Sequence, residues 1–190
     1  MNNNLIAGKR AVKELDALYD NPCKITGRKL SGLVLKMEHA GFLDKRLGNY
    51  IFMEINRNDF QELYYYASYL GKQKSNPVKV RLGWVLYAHA ARSGYARAQA
   101  ILGLTYIMGM GVEQNVREGI AWLRRAKRSG YSAVKDLLKI VLSCEAKHKD
   151  LRFCQELLLL LVAYIRKNTD TNLWCTGDQF IVEYLENKRM

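Results

Sequence analysis

A chain of 190 residues is long enough for one well-buried core or for a short array of repeats. Its 49% hydrophobic and 25% charged residues fit a soluble globular protein, and its longest apolar run, residues 157–165, is about half of what a membrane span needs, which excludes a spanning helix there. Thirty basic residues against 18 acidic ones give a net charge of +12, which draws the surface towards nucleic acid, anionic lipid or an acidic protein face without choosing among them; the same charge also serves solubility alone.

Only Pro22 and Pro77 interrupt a chain rich in Ala, Leu, Lys and Arg, so the composition favours helix almost throughout. Residues 5–20 place Leu5, Val12, Leu15, Leu18 and Tyr19 on one helical face, and Asn21-Pro22 stops the helix. A second helix is expected over 28–41, ending at Gly41. Residues 42–56 mix aromatic and β-branched side chains, and periodicity leaves helix and strand both open. Asn58 or Asp59 can cap a helix over 60–71 that carries the run ELYYYASYLG. Pro77 suits the first turn of the next helix, which reaches Ser93 and stops at Gly94. Helices follow over 96–108 and 116–129, joined by a turn at Gly109–Gly111 and closed by Gly130. A third copy starts at Tyr131 and runs to about Glu145; beyond it, 150–167 reads as a buried helix and 177–187 as a last one.

Two stretches repeat. Residues 83–98, GWVLYAHAARSGYARA, recur 36 residues later as residues 119–134, GIAWLRRAKRSGYSAV. Gly83, Ala90, Arg92, Ser93, Gly94 and Tyr95 reappear as Gly119, Ala126, Arg128, Ser129, Gly130 and Tyr131. A period in the thirties marks a helical solenoid built from helix pairs. Within residues 96–131, Ala98, Leu102, Gly103, Tyr106, Gly109, Gly111, Val112, Gly119, Trp122, Ala126 and Gly130 stand in a pattern that resembles the Sel-one-like repeat, a relative of the tetratricopeptide repeat. That resemblance implies an all-α fold, a short α-solenoid of antiparallel helix pairs. Residues 59–145 would hold one degenerate, one clear and one partial unit, and residues 1–58 and 146–190 would be helical caps of one continuous domain. It also implies a non-catalytic protein–protein interaction module. Members of the family act as adaptors in signalling, secretion and host–microbe contact, and short bacterial members act as immunity proteins that neutralise a toxin.

Two surfaces are candidates for partner binding. On the helix at 96–108, Arg97, Ile101, Thr105 and Met108 form one stripe by their spacing, a groove of mixed apolar and basic character if it faces solvent. One period on, the stripe continues as Ala133, Leu137, Val141 and Cys144, which the C-terminal helices would cover if the groove reading fails. Residues 117–139 hold seven basic residues against Glu118 and Asp136. Arg117, Arg124, Arg125, Arg128 and Lys135 are the candidates there, and Arg124, Arg128 and Lys135 can share a face that contacts an acidic protein or, alternatively, nucleic-acid phosphates. An ordinary solvated helix face is the plain alternative. The aromatic residues of this region read as buried, which weighs against nucleic acid. Tyr64, Tyr65, Tyr66 and Tyr69 cannot all face one side of a helix, so at least one is exposed or at an interface.

No catalytic pattern stands out. His39, His89 and His148 are scattered, and no nucleophile elbow or phosphate-binding loop occurs. Cys23, Cys144, Cys154 and Cys175 form no CxxC pair, so no zinc site, metal or cofactor is expected. Reduced thiols and the lack of an apolar leader suit the cytoplasm. The leading expectation is a module for an acidic partner protein, a toxin in its sharpest version. Nucleic-acid binding and a scaffold role are the alternatives.

Overall fold

A computed structural model describes residues 3–20, 25–71, 73, 75–109 and 112–147. All secondary structure among them is helical: α1 (Asn3–Asp20), α2 (Gly27–His39), α3 (Lys45–Arg57), α4 (Phe60–Gly71), α5 (Pro77–Arg92), α6 (Ala96–Met108), α7 (Val116–Arg128) and α8 (Val134–Lys147). The helices expected over 150–167 and 177–187, the caps built on them, and Gly111, Cys154 and Cys175 lie outside the described residues.

The ambiguity over 42–56 resolves as helix. Asp44 caps α3 by accepting the Leu47 N–H at 3.0 Å, and Leu47, Ile51 and Ile55 recur at the spacing of one buried helical face. Asn58 and Asp59 divide their roles. Asn58 ends α3 in the left-handed conformation (φ 57°), and Asp59 starts α4 by accepting the Glu62 N–H at 3.0 Å. Asn76 caps α5 through the Lys79 N–H at 3.1 Å, with Pro77 in the first turn as expected.

The chain divides into two compact units between Ser93 and Gly94. In the first, α1 packs on α2 and α5, α2 on α3, α3 on α4, and α4 on α5. Its core holds Leu15, Leu18, Leu30, Met37, Ile51, Leu63, Tyr64 and Leu86, all fully buried. Tyr64 meets Tyr65 and Tyr87 edge-on at ring separations of 5.7 and 5.4 Å, whereas Tyr69 is 53% exposed, as the tyrosine run requires. In the second unit α6 packs on α7 and α7 on α8, around Ala98, Leu104, Leu123, Val134, Leu137 and Val141.

The two hairpins, α4–α5 and α6–α7, share a local geometry at the period of the sequence repeat. The starts of α4 and α6 and the ends of α5 and α7 each lie 36 residues apart. In both, a glycine on the second helix lets the backbones touch. A Cβ on Gly83 would sit 2.7 Å from the Ala67 carbonyl oxygen, and a Cβ on Gly119 would sit 2.6 Å from that of Gly103.

Candidate functional site

The repeated Arg-Ser-Gly-Tyr string is a helix ending, and it shapes the site. At the end of α7 the Tyr131 N–H donates to the Ala126 carbonyl at 3.0 Å and the Gly130 N–H to the Lys127 carbonyl at 3.2 Å. Gly130 is left-handed (φ 90°). These are the paired bonds of a Schellman motif, which satisfies the last carbonyls and turns the chain sharply. Ser129 donates its hydroxyl to Oε1 of buried Gln99 at 3.1 Å, tying that end of α7 to α6. The start of α7 is equally fixed: Asn115 accepts the Glu118 N–H at 3.0 Å and Gln114 Nε2 donates to the Ile107 carbonyl at 2.8 Å. α7 is therefore held at both ends, with Trp122, Leu123 and Ala126 turned inward.

Because the chain reverses within residues 129–133, the last two turns of α7 and the first turns of α8 lie along one open groove. Arg124, Lys127 and Arg128 from α7 and Lys135, Leu138, Lys139 and Leu142 from α8 line it, with a volume of about 620 Å³. Five cations thus surround two leucines. Leu138 is buried, while Leu142 is 37% exposed. Lys139 pairs with Asp136 at 3.4 Å. No carboxylate among the described residues pairs with Arg124, Lys127, Arg128 or Lys135.

Helix electrostatics account for part of this charge. Arg125, Lys127 and Arg128 occupy the last turn of α7, where a cation complements the helix dipole. Lys135 does not fit that account. It sits in the first turn of α8, where the dipole already presents positive charge.

The structure gathers three of the basic candidates, Arg124, Arg128 and Lys135, into one groove. Arg125 leaves it to lie over the Trp122 ring at 4.4 Å from the centroid. Arg117 is exposed on α7 but does not line the groove. Half of the stripe on α6 is interior. Ile101 and Thr105 are buried at 4% and 1% exposure, with the Thr105 hydroxyl donated to the Ile101 carbonyl at 2.8 Å. Only Arg97 and Met108 of that set are half-exposed. Of its continuation, Leu137 and Val141 are buried and Ala133 is half-exposed. Lys127, Lys139, Leu138 and Leu142 also line the groove, beyond the candidates expected from sequence. The spacing of Lys135 with Lys139, and of Leu138 with Leu142, was the available signal, since residues four apart share a face.

Among the described residues no group of three or more His, Cys, Asp or Glu lies together as metal ligands would, and no helix is long and apolar enough to cross a membrane. His89 is buried on α5. Its ring meets Phe60 edge-on at 5.9 Å, Nε2 has no hydrogen-bond partner, and burial lowers its pKa. No protein-family model, curated protein or solved structure matches the chain.

Proposed function

We propose that this chain is a short helical repeat module that acts without catalysis and binds an acidic partner protein through the groove between α7 and α8. The observation that carries the reading is the gathering of five cations, four of them without a carboxylate partner among the described residues, around a partly exposed leucine. A cationic rim over an apolar floor suits a protein segment that brings both carboxylates and an apolar side chain. The recurrence of helix boundaries and glycine contacts at 36 residues supports the Sel-one-like, tetratricopeptide-related solenoid as the architecture that presents the groove.

The alternative, nucleic-acid binding through the same cations, has less support. Binding of single strands uses aromatic faces on which bases stack, and among the described residues no aromatic side chain lines this groove. The test is capture from native lysate at moderate salt, with and without nuclease, using the wild-type chain and the Arg124→Glu/Arg128→Glu variant. The expected result is an acidic protein that survives nuclease and is lost with the variant. Recovery of nucleic acid alone, lost on nuclease treatment, refutes the proposal.

A further inference from the structure

We infer, resting on the acidic-partner reading, that the groove is built for a protein segment in which a leucine-sized apolar side chain is flanked by carboxylates spaced one helical turn apart. The rims set the carboxylate spacing. Arg124 and Arg128 on α7, and Lys135 and Lys139 on α8, are each four residues apart, about 6 Å along a helix axis. All four line the one groove between α7 and α8 that the reversal at 129–133 creates, and we take the two rims to run alongside each other, which sets Arg128 with Lys135 and Arg124 with Lys139 as two successive rungs. Carboxylates at i and i+4 of a partner helix have the same spacing, and one carboxylate can bridge each rung. At the rung beside the α8 N-terminus the anion also meets the dipole, which removes the local conflict at Lys135.

The floor sets the anchor. Leu138 and Leu142 share the same four-residue spacing, and Leu142 keeps 37% of its surface exposed within a ring of charge. Cations alone would attract any polyanion. An apolar side chain placed over Leu142 gains from leaving water, which a phosphate backbone does not. The groove volume of about 620 Å³ leaves room for an anchor side chain and its flanking carboxylates rather than for a whole helix.

The test uses the full chain and fluorescence anisotropy. Three labelled probes are compared: a helical peptide with two glutamate pairs, each pair spaced by four residues, around a central leucine; the same peptide with serine in place of that leucine; and a short duplex DNA. The leucine peptide is expected to bind about tenfold more tightly than the serine peptide. Leu142→Ser should remove that difference and leave the serine peptide unchanged, with circular dichroism and melting curves confirming an intact fold. Arg124→Glu/Arg128→Glu should abolish binding of both peptides. Equal binding of the two peptides overturns the inference, as does binding of neither, or tighter binding of the duplex with no response to Leu142→Ser. Equal binding that is still lost on charge reversal removes only the apolar anchor and leaves the acidic-partner reading standing. Unchanged capture of the lysate partner by the charge-reversed variant removes the reading itself.

Discussion

At the scale of single residues, His89 shows what a sequence conceals. Its place beside the repeat alanines reads as structural, and the fold buries it. What no sequence pattern reveals is that Nε2 lacks a partner and that Gly27, at the start of α2, lies against the ring. Burial favours the neutral imidazole, so the folded-state pKa lies below the ordinary value of 6.5. The unfolded chain then binds the extra proton first as pH falls. The contribution of His89 to stability is complete above about pH 6.5, declines below it, and is lost as pH falls through the folded pKa, with a slope of at most about 1.4 kcal/mol per pH unit. His89→Leu should flatten the decline below about pH 6.5. Urea titrations at successive pH values measure this, and an unchanged slope in the variant contradicts it.

At the scale of elements, helix boundaries were largely legible because caps and stops are local. Pro77, Gly94, Gly109 and Gly130 act where they were expected to, with Gly94, Gly109 and Gly130 all left-handed. The span 42–56 was not legible, since a short mixed run carries either period until a neighbour selects the buried face; α2 and α4 supply that selection for α3. The helix–helix contacts make a sharper claim. Gly119→Ala and Gly83→Ala should each cost about 1–3 kcal/mol, because the new methyl meets a backbone carbonyl that cannot give way. Gly32→Ala, in α2, is the control. Nothing lies within 4 Å of a Cβ there, and alanine should stabilise by about 0.5–1 kcal/mol. Chemical denaturation of the three variants tests the set, and a loss at Gly32 as large as that at Gly119 rules the explanation out.

At the scale of the molecule, charge works against folding. A net charge of +12 repels itself, and five of the cations crowd one groove. Raising sodium chloride from about 0.1 M to about 1 M shortens the Debye length from about 10 Å to about 3 Å, so the unliganded protein should melt a few degrees higher. Arg124→Glu/Arg128→Glu should show a smaller rise, because the crowding is already relieved. Thermal scans of both proteins at the two salt concentrations decide this, and equal rises would mean that the groove is not a centre of repulsion.

The sequence by itself determined the helical class, most helix ends and the repeat of 36 residues, because caps, glycine stops and hydrophobic period act over a few neighbouring residues. It also located the basic segment at 117–139. Only the tertiary structure decided which of those cations act together. Arg124 and Arg125 are adjacent in sequence, but helical geometry sends the first to the groove and the second across Trp122. Tertiary packing likewise buried Ile101 and Thr105, which spacing alone could not separate from a solvent face, because periodicity fixes which residues share a face and packing fixes which faces are covered.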